Sequence, residues 1–322
     1  MEAKCVEISI KGRAIKVPSV QFGGRTIIAS GKWIRIARVR DEDWLEGDVV
    51  RDPEACIEKI RSENLKADIF TFSQKIPNTS LNFDYPFEWD NVAAIPTEDY
   101  TCWWEQRVSQ VVRKNVRRSA KRGVEIREVQ FSDDLLRSII EINNETPVRQ
   151  GRPFWHYQKS FEIVKKDYAT LLDRSEYIGA FFENKLIGFI KMIYMGEVAG
   201  ILQILCMNAH YDKRPANALL ARAVEICNKK GIKYLTYGKY VYGGNSKSQL
   251  TEFKRRNGFE QILIPRYYVP LTVKGKLAMR FSLHHGLKRL LPNSLIATAS
   301  GLRSKYYEKK LLGNETSRDS GE

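Results

Sequence analysis

The chain has 322 residues, 43% of them hydrophobic, which is enough to bury a sizeable core and exceeds the usual size of one domain. No apolar run approaches the roughly 20 residues that a membrane span needs, and no signal peptide opens the chain, so we expect a cytoplasmic protein. The five cysteines are an odd number without metal-ligand spacing, which argues against a disulfide framework and a metal site. The net charge of +15 favours polyanionic partners.

Residues 1–102 alternate short strand-like segments with one predicted helix. The segments 26–29, 33–37 and 68–72 are rich in β-branched and aromatic side chains and predict strands, whereas 53–64 predicts a helix. These elements indicate a smaller N-terminal α/β unit. Whether that unit folds independently is left open.

Two segments carry much of the excess positive charge. Residues 105–123 hold seven Lys and Arg residues against one acid, and residues 266–310 hold ten against one. In the first segment, Arg113, Arg117 and Lys121 recur at helical spacing opposite an apolar face, which predicts a basic helix. This helix either binds a polyanion, such as tRNA, CoA, an acidic acyl-carrier protein or anionic lipid, or presents an ordinary solvated face.

Residues 272–322 predict a basic helical tail with a polar, disordered end. The expected helices span 274–291 and 297–312, and the first of them is partly amphipathic. It either lies on an anionic membrane, which would make the protein peripheral at the inner membrane face, or packs against the rest of the chain.

A run of strands with one helix is the most informative part of the sequence. Three apolar segments separated by a few turn residues predict an antiparallel meander. Pro215 then suits the start of a helix and Gly231 its end. Because a crossover helix precedes it, the fourth strand should run parallel to the third. The four predicted strands are 177–182, 186–194, 198–207 and 234–240.

This order, followed by the sequence Phe253-Lys254-Arg-Arg-Asn-Gly258-Phe259, resembles the GNAT acyltransferase fold and, more closely, its FemAB-like branch. The basic segment 113–124, which ends in Gly-Val, is similar to the helix that enters the second GNAT unit of FemAB-like proteins. The resemblance covers residues 103–271. It implies a mixed α/β (α+β) fold, with a GNAT-like mixed sheet flanked by helices after a degenerate GNAT-like unit.

The resemblance also implies an amide-forming acyltransferase or aminoacyltransferase, with a role in cell-envelope or glycan biosynthesis. The donor is either acyl-CoA, an acyl-carrier protein or aminoacyl-tRNA, and each would be a co-substrate rather than a tightly bound cofactor. The amine acceptor is unidentified. The competing hypothesis is a non-catalytic, degenerate GNAT-like module that binds RNA or an anionic membrane.

Catalysis in this fold depends mainly on positioning an amine against an activated acyl carbon. In GNAT enzymes a tyrosine shortly before the glycine of the last motif often protonates the leaving thiolate, and here Lys254 takes its place. We expect Lys254 either to neutralise phosphate or developing negative charge, or to be a solvent-exposed residue. The catalytic candidates are Lys254, Tyr237, Lys239, His210 and Asn208.

The loop that binds pyrophosphate in acyl-CoA users departs from the family pattern, because Arg214 stands where the first glycine is usual. We expect the donor cleft to open where the strands 198–207 and 234–240 splay apart. The donor-binding candidates are Gln203, Met207, Lys213, Arg214, Ala216 and Asn217. A helix should begin at Ser132 and another should span 157–172, and in GNAT folds the loop between such helices lines the acceptor site. The acceptor-binding candidates are Glu145, Arg149, Arg152, Trp155 and Tyr240.

Overall fold

The computed structural model describes residues 4–10, 13–149, 151–243, 245–286 and 307. Most of the predicted C-terminal tail, including the helix expected at 297–312, lies outside the described residues. None of the helices within the described part is long and apolar enough to cross a membrane.

Strands and helices alternate along the described chain. The strands are β1 (Lys4–Ile10), β2 (Arg13–Phe22), β3 (Arg25–Ser30), β4 (Ile36–Val39), β5 (Ile69–Ser73), β6 (Phe87–Pro96), β7 (Glu125–Val129), β8 (Val148–Arg149), β9 (Arg152–Pro153), β10 (Ser175–Phe182), β11 (Lys185–Met195), β12 (Val198–Cys206), β13 (Tyr234–Thr236) and β14 (Glu260–Pro270). The helices are α1 (Pro53–Ser62), α2 (Tyr100–Cys102), α3 (Gln110–Lys121), α4 (Asp133–Asn144), α5 (Phe161–Tyr168), α6 (Pro215–Lys229), α7 (Gln249–Arg256) and α8 (Val273–Arg280). A π-helical turn, Trp103–Arg107, follows α2 directly.

Several helices begin at a polar side chain that accepts a hydrogen bond from the first turn, which explains why they start where they do. Such caps precede α1, α3, α4, α7 and α8 at Asp52, Ser109, Ser132, Ser248 and Thr272. The helix start predicted at Ser132 is therefore confirmed.

Twelve of the described strands form one mixed sheet, in the order β1-β2-β3-β4-β5-β14-β6-β13-β12-β11-β10-β7. The pairs β4–β5 and β12–β13 are parallel, and the other pairs are antiparallel. Strands from the N-terminal part therefore flank β14, since β5 lies on one side of it and β6 on the other. Strands from both sides of the predicted domain boundary near residue 102 are therefore interleaved in one continuous sheet. The boundary itself stays a prediction.

The mixed α/β fold, the antiparallel meander and the parallel pairing of the third and fourth strands are confirmed. Four predicted segments were wrong in extent. Trp33 is 84% exposed and precedes β4, and the strand expected at 234–240 ends at Thr236. The helix expected at 157–172 covers only α5, and the helix expected at 274–291 ends at Arg280. Strands β6 and β14 were not predicted.

The largest hydrophobic cluster joins helices to the meander. Helix α6 packs against β10, β11 and β12, and α4 packs against β11. A second cluster lies under α1 and includes Phe70, Phe72 and the fully buried Tyr267 of β14. Because β14 belongs to the C-terminal part, its tyrosine ties the N-terminal core to the rest of the sheet.

Candidate functional site

Strands β12 and β13 separate after a short parallel pairing, and we call the region between the diverging strands the β12–β13 cleft. The two strands pair only from Val198–Tyr234 to Gly200–Thr236. Beyond that point the chain after β13 turns to β6, where the Tyr237 amide donates a hydrogen bond to the Ala93 carbonyl oxygen at 2.9 Å. The predicted separation of these strands is confirmed.

Two local features explain the separation. The register between β11 and β12 shifts at Lys191 and Met192, so that Leu202 is an extra, bulged residue, and a bulge bends its strand. At Gly200 an added Cβ would lie 2.9 Å from the ring of Trp44. Glycine therefore allows Trp44 to pack where the cleft begins.

Lys254, in α7, lies behind this cleft and is fully buried, at 0% exposure. Its Nζ donates hydrogen bonds to the carbonyl oxygens of Tyr237, at 2.7 Å, and Lys239, at 2.6 Å. Nζ also lies 4.5 Å from the ring centroid of Tyr237 and 5.0 Å from that of Tyr242. Burial lowers the pKa of Lys254 to about 8, and no acidic side chain among the described residues pairs with it. The alternative of a solvent-exposed lysine was wrong.

Tyr237 lies against Lys254 and is close enough to Cys206 of β12 to interact with it electrostatically. Burial raises the pKa of Tyr237 to about 12, and Tyr242 and Cys206 add to the rise. Cys206 belongs to β12, on the opposite side of the cleft, and burial raises the pKa of its thiol to about 12. Both groups are therefore protonated at neutral pH.

The other predicted residues near β13 are engaged elsewhere. Lys239 is half exposed, and its Nζ pairs with the Asp90 carboxylate at 2.8 and 2.9 Å. The Tyr240 carbonyl oxygen accepts a hydrogen bond from Thr251. Both residues follow the end of β13, because the strand expected to reach residue 240 ends at Thr236.

The turn after β12 holds the remaining catalytic candidates, and the structure does not bring them to Lys254. His210 packs against Phe182, at the end of β10, with the ring centroids 5.7 Å apart. Strands β11 and β12 separate β10 from β13. Burial lowers the pKa of His210, with a further contribution from Lys213. Asn208 is exposed, and its amide donates to Glu145.

Two backbone amides of this turn are already hydrogen-bonded to a carboxylate of the protein itself. Glu145 accepts hydrogen bonds from the amides of Asn208, at 2.7 Å, and Ala209, at 2.8 Å. It also pairs with Arg149, whose guanidinium donates to the Cys206 carbonyl oxygen at 3.1 Å. Glu145 and Arg149, both predicted to bind acceptor, thus hold the 145–149 loop against the end of β12.

Arg214 adopts the left-handed backbone conformation that glycine would provide, with φ 59° and ψ 40°. This conformation costs a non-glycine residue roughly 1–2 kcal/mol. Arg214 thus holds a conformation that glycine adopts more readily. The Arg214 guanidinium lies over the Tyr211 ring, and the Lys213 ammonium lies over the Phe182 ring.

The other donor-binding candidates have structural contacts. Asn217 joins three helices, since its side chain bonds to Asn115 at 3.2 Å and to Asn257 at 3.0 Å. Met207 is buried, and its amide donates to the Ile187 carbonyl oxygen, while Ala216 is half-buried in α6.

Sequence reasoning missed a buried polar cluster between α4, α5 and β12. Asn143, His156 and Tyr168 are more than nine-tenths buried, and the Asn143 amide, His156 Nδ1 and Tyr168 hydroxyl have no partner at hydrogen-bond geometry. The Tyr168 hydroxyl lies beside the amides of Asn143 and Gln203, which oppose the rise in its pKa that burial causes. Burial also lowers the pKa of His156 to about 4, so its imidazole is neutral. Only Gln203 of this cluster was predicted.

The loop between α4 and α5 places two predicted acceptor residues at the surface. Arg152 is exposed, and Trp155 is 51% exposed. The Trp155 ring stacks on His156, with centroids 3.5 Å apart, and the Lys159 ammonium lies 4.3 Å from the Trp155 ring centroid. Trp155 therefore borders the buried polar cluster.

Helix α3 presents a basic face that includes Arg117 and Lys121, as predicted, but not Arg113. The Arg113 guanidinium donates to the carbonyl oxygens of Trp104, Glu105 and Val108 at 2.8–3.0 Å, so it caps the π-helical turn. Val111 is 52% exposed, so the apolar face of α3 does not include it. The exposed basic residues of α3 are Lys114, Arg117, Arg118 and Lys121.

Comparison with known proteins identifies the fold. No protein-family model and no curated protein matches the chain. FemX shares 10% identity with a TM-score of 0.57, over 86% of this chain and 89% of FemX. L-PGS from Bacillus licheniformis shares 15% identity with a TM-score of 0.53, over 80% of this chain and 85% of that one. A conserved protein of unknown function from Bacteroides thetaiotaomicron shares 12% identity with a TM-score of 0.52, over 80% and 86%.

The TM-scores of 0.52–0.57 establish a shared fold, whereas identities of 10–15% are too low to transfer a reaction from one protein to another. The strand order, the separation of β12 from β13 and the match to FemX agree with one another. The chain therefore has a mixed α/β, GNAT-like fold that is similar to the folds of FemX and L-PGS.

Proposed function

We propose that this protein transfers an acyl or aminoacyl group from an activated donor to an amine, and that the reaction takes place in the cleft between β12 and β13. The observation that carries the proposal is Lys254. A buried ammonium without an acidic partner is costly, and it is well suited to stabilise negative charge that develops in a water-poor cleft. The FemX-like fold supports the same reading.

The donor that fits best is aminoacyl-tRNA. A pyrophosphate bound as in acyl-CoA users would approach the turn after β12, where the Glu145 carboxylate already occupies two amides and would repel it. Arg214 adds a side chain where a glycine would allow close approach. The exposed basic residues of α3 supply a surface for phosphates of RNA.

The chemistry requires an attacking amine, a leaving oxygen and two proton transfers. The neutral amine attacks the ester carbon, a tetrahedral intermediate forms, and the C–O bond to the ribose breaks as the amide forms. The amine proton passes to water, because no described carboxylate next to Tyr237 is free to take it. The Tyr237 hydroxyl, protonated at neutral pH, donates a proton to the leaving oxygen and regains one from water, which took up the amine proton. Lys254 positions Tyr237 and stabilises the oxyanion.

The test is a transfer assay with two donors in parallel. Labelled aminoacyl-tRNA and labelled acetyl-CoA are each incubated with the full-length protein and a panel of amines, namely peptides with a free α- or ε-amine and amino sugars. We expect protein-dependent transfer of label from tRNA to an amine, in a product that resists alkaline hydrolysis because it is an amide. Tyr237→Phe should slow the transfer at least about tenfold.

Two outcomes would overturn this proposal. Transfer from acetyl-CoA alone would reject aminoacyl-tRNA as the donor. Tight binding of tRNA without transfer to any amine, at every protein concentration used, would support the competing hypothesis of a non-catalytic RNA-binding module.

A further inference from the structure

Two adjacent histidines and a distant glutamate meet at one edge of the described structure. His284 and His285 form a 3-10 turn shortly after α8, and Glu88 lies on β6. The Nε2 atoms of His284 and His285 lie 3.2 and 2.7 Å from Oε1 of Glu88. The chain contains four histidines, so half of them converge on a carboxylate that is about 200 residues earlier.

The three side chains present the ligand atoms that zinc-type ions prefer. One potential ligand atom from each residue lies within 4.8 Å of the others. Zinc bonds to imidazole nitrogen and carboxylate oxygen are about 2.0–2.2 Å long, so neighbouring ligands of a tetrahedral site are roughly 3.3 Å apart. The observed separations of 3.2 and 2.7 Å need only a small adjustment to admit an ion.

The surroundings hold the rings in place and leave a path to the carboxylate. Tyr268 of β14 packs against both imidazoles, with ring centroids 4.8 Å from His284 and 6.1 Å from His285. The side chain of His284 is 4% exposed, whereas that of Glu88 is 40% exposed, which lets an ion enter from solvent. Arg266, opposite Glu88 in the sheet, is already neutralised by other acids.

We propose that Glu88, His284 and His285 form a binding site for a divalent ion of the zinc type, with water at the fourth position. The ion fastens the segment after α8 to β6. This site would thereby stabilise β6, which pairs with both β13 and β14 and so lies next to the β12–β13 cleft. The inference is independent of the reaction proposed above.

The experiment uses the full-length protein, freed of metal with EDTA and titrated with Co²⁺, whose visible absorption reports tetrahedral nitrogen and oxygen ligation. We expect saturation at one ion per chain, competition by Zn²⁺, and a higher melting temperature in Zn²⁺. Glu88→Gln, His284→Ala and His285→Ala should each weaken Co²⁺ binding by more than about tenfold. His156→Ala and His210→Ala serve as matched controls and should bind as the wild type does.

Absence of the absorption band in folded wild-type protein would overturn the proposal. So would a band of equal intensity and affinity in the three site variants, because the ion would then be bound elsewhere. Glu88→Gln keeps the shape of the side chain, and circular dichroism of each variant separates lost ligation from lost folding.

Discussion

Two lysines are buried in almost the same way, but only one of them lies at the proposed reaction site. Lys191 and Lys254 are both within 1% of full burial, and each Nζ donates to two carbonyl oxygens. Lys191 bonds to the carbonyl oxygens of Tyr168 and Thr170, at the end of α5, where a cation complements the helix dipole. Lys254 instead holds the irregular chain after β13, next to the cleft.

The first prediction separates these roles by paired substitution. Lys254→Met and Lys191→Met should both lower the free energy of unfolding, because each leaves two carbonyl oxygens unpaired. Only Lys254→Met should also lower turnover, by at least about tenfold, since charge stabilisation in a water-poor site is worth roughly 1.4 kcal/mol or more. Turnover and urea unfolding are measured on both variants. Equal turnover in the two would remove Lys254 from the mechanism.

The second prediction follows from the pKa of Lys254, which falls from 10.5 to about 8 on folding. Between these values the unfolded chain binds more protons at this lysine than the folded chain does. The free energy of unfolding should therefore rise with pH across that window, by up to about 1.4 kcal/mol per pH unit. In Lys254→Met this contribution is absent. Between pH 8 and pH 10, the free energy of unfolding measured in urea should rise more in the wild type than in the variant. Equal changes in the two proteins would contradict the prediction.

At the scale of elements, the turn between β12 and α6 places an arginine in a conformation that glycine favours. Arg214 keeps the left-handed conformation, and Pro215 then begins α6 as a first helical residue with fixed φ. Glu145 closes the turn from the side of α4. The element therefore keeps its shape while its anion-binding amides are occupied.

The third prediction concerns this strained backbone. Arg214→Gly should raise the free energy of unfolding by about 1 kcal/mol, because glycine adopts the left-handed conformation without the steric cost. Arg214→Ala is the matched control, since it removes the same charge and keeps the Cβ. Urea unfolding compares the two variants. A glycine variant no more stable than the alanine variant would show that the conformation carries no strain.

The fourth prediction addresses the basic face of α3. Reversing Lys114, Arg117 and Lys121 to Glu should weaken tRNA binding and flatten its salt dependence, by roughly 0.7–0.9 in the logarithmic slope for each lost phosphate contact. Arg113 is left unchanged because it caps the π-helical turn. The control reverses three exposed basic residues of the N-terminal part, namely Lys16, Arg61 and Lys66.

Binding of tRNA at two salt concentrations, compared between the two triple variants and the wild type, checks this fourth prediction. If both triple variants lose affinity equally, net charge rather than the face of α3 accounts for the attraction. If neither loses affinity, the basic face is solvated surface.

At the scale of the whole molecule, the sequence predicts what local patterns determine. The hairpins between β10, β11 and β12 need only short turns, and α4 is marked by the cap at Ser132. Strands β6 and β14 were missed because their pairing is non-local. Residue 94 of β6 pairs with Thr236 on one side and with Glu260 on the other, and no local sequence pattern predicts either pairing.

The site was predictable in position but not in detail. The separation of β12 and β13 followed from the resemblance, whereas the burial of Lys254 was hidden in a Lys-Arg-Arg run whose other two members are exposed. Helical phase offers one local signal, since Thr251 and Lys254 lie three residues apart and are both buried. The ligands Glu88 and His284 had no such signal, because the sheet alone brings them together.

The last prediction tests whether the sheet is one cooperative unit. A fragment of residues 103–271 lacks β5 and β6, so both edges of β14 and one edge of β13 lose their partners. Exposed strand edges promote aggregation, and Tyr267 would also lose the aromatic cluster around Phe72. We expect this fragment to be insoluble or unfolded by circular dichroism. A comparison fragment that begins at residue 86 keeps β6 and should be more soluble, and coexpression with residues 1–102 should recover a complex. A folded, monomeric 103–271 fragment would instead show that residues 103–271 form an independently stable domain. Strand β14 would then be stable without either of its neighbours, β5 and β6.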